Sequence, residues 1–276
     1  TLSQITDKAA YREGLPSTIF VDYLPFFDPS NPEASLNEAI KVLKKLIHRY
    51  PNDYAAICTE VIQGEGGCWV GNKEFFHEIF KIAKEHGIAI FVDEVQSFAR
   101  TSKLFAFQHF ELQDFVDVVT IGKISQICAT LFKSSFAPKQ GLVSQTFTGS
   151  TSAILASKTI INELLNNNFF GPEGKHEKLH QHFEKHLKKI QISTNGLLQG
   201  PFGTGMMVAF TVYKGDKDKS IAFTKKLFDN GLIVFTAGED PTRIRMLLPS
   251  GGITFEDIDQ AALIIEHTLK EMEDNS

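Results

Sequence analysis

Residues 87–123, GIAIFVDEVQSFARTSKLFAFQHFELQDFVDVVTIGK, hold two strand-sized apolar runs that each stop on ionisable side chains. The first, Ile88 to Val92, runs into Asp93-Glu94-Val95-Gln96, and the second, Val116 to Ile121, into Gly122-Lys123. Two such strands joined by a crossover-length segment predict parallel neighbours, and sites in open parallel sheets lie where the strands end. An acid and a lysine there form a candidate catalytic pair. A lysine desolvated by a buried strand loses proton affinity and becomes a nucleophile able to form a Schiff base. On spacing alone, other readings stay open. Lys123 would then be an exposed lysine past a strand end, and Asp93 and Glu94 a solvated pair, a base or metal ligands.

Upstream, Lys73 to Glu85 reads as a helix capped by Asn72, with Phe75, Phe76, Ile79, Phe80 and Ala83 on one face and His86-Gly87 closing it. Tyr54 to Ile62 reads as a buried strand entering the glycine-rich loop Gln63-Gly64-Glu65-Gly66-Gly67. Ser35 is the expected cap of a helix carrying Ala39, Val42, Leu43 and Leu46, after a stretch that Pro25, Pro29 and Pro32 keep irregular. Strand, helix, strand with short connections predicts an α/β fold with a mostly parallel sheet.

Downstream, Ile127 to Phe132 is a further expected strand, Ser144 to Ser150 a polar loop and Thr151 to Leu165 a long helix. Beyond Gly171-Pro172 the composition shifts. A charged helix (Glu173 to Lys189) precedes strands at Met206–Tyr213, Leu232–Phe235 and Ile244–Leu248, with helices at Lys219–Asn230 and from Thr254 through Glu271. The expected division is a partial large α/β domain, 1–165, and a small C-terminal α+β domain, 166–276.

The chain has 276 residues, 42% hydrophobic and 22% charged, with a net charge of −5. That suits a globular protein with a sizeable core and gives no basic surface for nucleic acid. No apolar run is long enough to span a bilayer, and the expectation is a chain without a signal peptide. Three unpatterned cysteines argue against a disulfide framework and for a reducing, cytoplasmic setting. Cys128, between Ile127 and Ala129, reads as buried and structural rather than nucleophilic. Twenty-four Phe against one Trp reads as a bias in core filling. His176, His180, His182 and His186 share one helix, where i,i+4 pairs could ligate a metal. The lysines and glutamates between them favour a solvated face, and no metal site is assigned.

In order, FVDEVQ, RTSKLFAF and VDVVTIGK resemble the class III pyridoxal-phosphate aminotransferases, which include the ornithine, acetylornithine, 4-aminobutyrate and lysine enzymes. TEVIQGEGG at 59–67 resembles the family's EPxQGExG loop, QTFTGS at 145–150 its TFxGN segment, and RIRMLLP at 243–249 with ITFEDID its late elements. The resemblance implies a fold-type-I transferase, with pyridoxal phosphate held by Lys123 as a Schiff base. Asp93 would face the pyridine nitrogen, Val95 the ring and Gln96 its phenolic oxygen. Thr146 would bind the phosphate, in the family across a subunit interface, which implies a homodimer. Arg245 would bind the substrate carboxylate, with Glu65 as an acid able to pair with it and switch it off. The implied reaction moves an amino group, from the ω- or ε-amine of a basic amino acid or derivative, to 2-oxoglutarate. A catalytically incomplete relative of the same fold and a pyridoxal-phosphate racemase or epimerase are the alternatives.

Three departures from the family pattern stand out. Ile124 to Cys128 replaces the glycine-rich run after the lysine, Ser150-Thr151 replaces Asn-Pro, and Ser102 replaces the glycine of RTG. The chain also resembles only the C-terminal part of such enzymes. The expectation is therefore an N-terminally incomplete chain, lacking the small-residue turn that cradles the phosphate.

Overall fold

The computed structural model describes residues 13–14, 19–143 and 149–274. Helix α1 spans Pro32–Arg49, and Asn31 rather than Ser35 caps it, its side chain accepting from Ala34 N at 3.4 Å. Pro32 does not break this element but opens it, because the first helical position needs no N–H donor. The expected strand over 54–62 is split. Strand β1 covers only Ala56–Thr59, and Ile62–Gln63 (β2) instead pairs antiparallel with Trp69–Val70 (β3). The break falls at Glu60, whose carboxylate turns back to accept from Gly64 N at 3.2 Å.

Helix α2 is Lys73–Glu85, with Asn72 accepting from Phe75 N at 2.7 Å. Strand β4 (Ala89–Glu94), the short helix α3 (Ala106–His109), strand β5 (Val118–Ile121) and strand β6 (Ala129–Phe132) follow. The sheet order is β1-β4-β5-β6, with β1, β4 and β5 parallel and β6 antiparallel to β5. One face of β4, Ile90 and Val92, packs with Leu43 and Ile47 of α1 and with the apolar stripe of α2. Part of the phenylalanine excess fills this core. Phe26 stands edge-on to Phe75 and Phe76, and Phe76 also contacts Phe80 and Phe110. Each buried ring contributes about 1.5–3 kcal/mol through removal from water.

After α4 (Thr151–Asn166) and α5 (Lys175–Ser193) comes an antiparallel sheet of β7 (Leu198–Thr204), β8 (Met207–Val212), β9 (Phe235–Ala237) and β10 (Arg243–Leu247), in the order β7-β8-β10-β9. Helix α6 (Lys217–Asp229) lies between β8 and β9 in sequence, and α7 (Phe255–Asp274) ends the described chain. Strand β7 is unexpected. It carries Gly200-Pro201 and Gly203, residues that weaken a strand, and a bulge between Gln199 and Phe202 absorbs them. Phe183 and Leu187 of α5 and Ile258 and Ile265 of α7 pack against Phe210 and Ile244 in a second core. Met207 belongs to the first core, so β8 ties the two together. No helix among the described residues is long and apolar enough to cross a membrane.

Candidate active site

Parallel pairing aligns Asp93 with Thr120 and Glu94 with Ile121, so Lys123 stands just past the neighbouring strand's end. Strand alternation separates the two acids. Asp93 lies half-buried on one face, where its Oδ1 accepts from Val95 N at 2.9 Å and from Thr120 Oγ1 at 3.3 Å. Glu94 points the other way and is fully buried, accepting from Ala106 N and Phe107 N at 2.8 Å each. It fastens the start of α3. Lys123 sits at positive φ (56°) in a short turn and its side chain is exposed, so of the two readings of this lysine the exposed one holds and the desolvated one does not. The apolar strand ends at Ile121, and the turn carries the amine clear of it. Gly122 lets Val95 pack close to this turn, since a Cβ would stand 3.1 Å from Val95 Cγ1.

The loop after β2 brings Glu65 to Arg245 of β10. Arg245 Nη1 donates to Glu65 Oε1 at 2.7 Å and to Gln96 Oε1 at 2.8 Å, while Gln96 Nε2 donates to Glu65 Oε1 at 3.0 Å. Gln96 is thus engaged with the acid and the arginine. Gly64 permits this, because a Cβ there would fall 2.2 Å from Gln96 Oε1. Arg245 and Lys123 line one cleft of about 600 Å³, walled by Phe235, Leu247 and Pro249. Asp93 and Val95 are not part of that wall.

Three charged residues that sequence reasoning left unassigned, Arg243 and Arg100 buried and Glu60 half-buried, hold this arrangement. Arg243 shares the Arg245 face of β10. It is stacked between Trp69 (3.9 Å) and Phe202 (3.8 Å) and donates to Gly67 O at 2.7 Å. Burial lowers its pKa to about 10. Arg100 Nη1 donates to Gln96 O at 2.7 Å and so fixes the backbone of Gln96. Burial, together with Asp93 and Glu65 nearby, pushes Glu60 up to about 7, even though Gly64 N donates to it. Their immediate sequence neighbours are neither glycine nor aromatic and carry no signal of these roles.

The family profile described as aminotransferase class-III matches residues 1–269. The chain belongs to the class-III aminotransferases. It is 29% identical over 268 residues to the acetylornithine aminotransferase of Archaeoglobus fulgidus, covering 95% of this chain and 63% of that protein. It is 29% identical over 238 residues to the enzyme of that name from Caldanaerobacter subterraneus subsp. tengcongensis, covering 83% and 57%. Among solved structures, the ornithine aminotransferase of Toxoplasma gondii superposes with a TM-score of 0.79 at 21% identity, over 98% of this chain and 61% of that one, a likeness of fold. The chain thus spans less than two thirds of the length of these relatives.

Pyridoxal phosphate is the cofactor of the class-III aminotransferases. The residues present fit it. A fixed carboxylate (Asp93), an apolar side chain (Val95) and a primary amine (Lys123) lie at one end of the sheet, groups of the kind that suit a pyridine nitrogen, a ring face and an aldehyde. Thr146, expected at the phosphate, lies outside the described residues.

Two other expectations are corrected. Cys128 is exposed, because β6 begins only at Ala129 and the preceding connection is open. The helix of histidines is not a solvated face. His176 is fully buried with Nδ1 3.2 Å from Thr101 O, and His180 Nδ1 lies 2.7 Å from Gly205 O. His182 and His186 are half-buried and meet Asp259 of α7.

Two predictions arise here. Arg243→Ala removes two ring contacts and a charge-assisted hydrogen bond, and should cost about 2–4 kcal/mol. Urea unfolding would read that loss, with Arg243→Lys recovering only part of it. Glu94 carries the second. Burial raises its pKa to about 7 against the two backbone donors, whereas an unfolded glutamate ionises near 4.3. Between those values the folded chain binds the extra proton, so this group's contribution to stability falls as pH rises from about 4.3 to 7. Glu94→Gln should remove that fall while losing one backbone acceptor, about 1–3 kcal/mol. Unfolding curves at pH 5 and pH 7 check it, since parallel losses in both proteins would contradict it.

Proposed function

We propose that the protein transfers an amino group from the distal amine of a basic amino acid or its derivative to 2-oxoglutarate, as a pyridoxal-phosphate aminotransferase acting as a homodimer. The observation that carries the donor class is the 2.7 Å Glu65–Arg245 pair. A guanidinium on the cleft wall would clamp any substrate carboxylate bidentately. With Glu65 in that place, the cleft favours a donor that presents an amine on a carbon with no carboxylate. Relatives and structural neighbours named for acetylornithine, ornithine and lysine agree with that choice.

When bound, pyridoxal phosphate supplies an electron-accepting ring. The chain's residues do the rest. Asp93, held by Val95 N and Thr120 Oγ1, keeps a proton on the pyridine nitrogen. Val95 would pack on the ring face, and Gln96, held by Glu65 and Arg245, would face the ring's phenolic oxygen. Lys123 anchors the cofactor and, once released, carries the proton to and from the reacting substrate carbon. Arg245 takes the carboxylate of the 2-oxo acid when Glu65 turns aside, so one cleft serves both half-reactions. In the homodimer Thr146 serves the phosphate.

Incubation of the protein with pyridoxal phosphate, 2-oxoglutarate and ornithine, acetylornithine, lysine or 4-aminobutyrate tests the reading. Glutamate should accumulate with one of these distal-amine donors. Inversion of a donor's stereocentre without glutamate would instead establish a racemase or epimerase.

A further inference from the structure

Away from the cleft, α5 and α7 bring three metal-ligating side chains to one point. His182 Nε2 and His186 Nε2 each lie 2.7 Å from the same atom, Asp259 Oδ1, and all three ligand atoms fall within 4.8 Å of one another. The i,i+4 spacing places both imidazoles on one face of α5, and the carboxylate comes from a separate helix. All three residues are half-buried, so the point is partly dehydrated yet reachable from solvent. Phe255 stands edge-on to His182 at 5.1 Å and limits how far that ring can turn. Asp257 is not a further ligand, because its carboxylate accepts from Thr254 N at 2.8 Å and from Thr254 Oγ1 at 2.9 Å.

The geometry points to a divalent transition-metal site, best suited to Zn²⁺, that fastens α5 to α7. Two imidazole nitrogens and one carboxylate oxygen suit zinc, whereas calcium and magnesium seek all-oxygen shells. Ligands about 2.0–2.1 Å from a tetrahedral zinc stand about 3.3 Å apart, so the 2.7 Å separations open by only about half an ångström to admit the ion. Without metal, the two Nε2–H groups donate to the one carboxylate oxygen. On binding, each neutral imidazole carries its proton on Nδ1 and turns the Nε2 lone pair to the ion, and water completes the shell. Phe183 follows His182 on α5 and Ile258 precedes Asp259 on α7, and both line the cleft that holds Lys123 and Arg245. The ion would therefore brace the back wall of that cleft.

The test is titration of the tag-free, chelator-stripped full chain with Zn²⁺ and with Co²⁺, followed by calorimetry, the Co²⁺ visible spectrum and thermal melting. One equivalent should bind saturably, Co²⁺ should give the intense bands of a low-coordinate site, and Zn²⁺ should raise the melting temperature. His186→Gln and Asp259→Asn should each weaken binding at least about tenfold, while His48→Gln, at an exposed position of α1, leaves it unchanged. A second readout needs no variant. Zn²⁺ should shield His182 and His186, and not His48, from diethyl pyrocarbonate, mapped by mass spectrometry. Absence of saturable one-to-one binding, or binding without protection of His182 and His186, would overturn the site.

Discussion

Replacing Lys123 by alanine is expected to abolish amino transfer. The proton-carrying role alone is worth about 10²–10⁴ in rate, and the covalent hold on the cofactor is lost with it. Fold stability should barely change, because the side chain is exposed and belongs to no buried cluster. The expected signature is therefore a dead protein with an unaltered unfolding curve. Asp93→Asn should lose activity for a different reason. The amide keeps the shape and the partners Val95 N and Thr120 Oγ1, but it cannot hold a proton on the pyridine nitrogen. Turnover by Lys123→Ala near the parent rate would remove the lysine from the mechanism.

The second large effect is on choice of substrate. Glu65→Ala leaves Arg245 Nη1 with only Gln96 Oε1 as a partner from the present trio. The guanidinium is then free to take a substrate carboxylate at all times. The ratio of kcat/KM for glutamate over a distal-amine donor should rise about ten- to a hundredfold, the equivalent of the roughly 1.5–3 kcal/mol of a charge-assisted hydrogen bond. Glu65→Gln, which keeps the acceptor without its charge, should fall between. An unchanged ratio in Glu65→Ala would show that the pair does not govern which substrate enters.

Much of this fold is legible in residue order. Asn72, the α2 stripe and Gly87 marked that helix to the residue, because a cap, a period and a stop signal agree there. The acid at the end of β4 and the lysine past β5 followed from two apolar runs, and parallel pairing brings both to the same end of the sheet. The misses share a cause, which is that tertiary contacts overrode local pattern. Glu60 ended a strand by turning to a backbone donor, and a bulge rescued β7 from its glycines and proline. Glu94, adjacent to Asp93 in sequence, serves the opposite face. The histidines looked solvated because their neighbours are charged, yet their partners, Thr101, Gly205 and Asp259, lie far along the chain. Arg243 was invisible for the same reason, since the rings that sandwich it come from β3 and β7.

The central claim is that Lys123 is the residue that takes pyridoxal phosphate. The direct measurement is borohydride reduction of the protein after incubation with the cofactor, with the pyridoxyl group located by peptide mass spectrometry. One equivalent on Lys123, absent from Lys123→Ala, is the predicted result. Label spread over other lysines, and unchanged in Lys123→Ala, would contradict it.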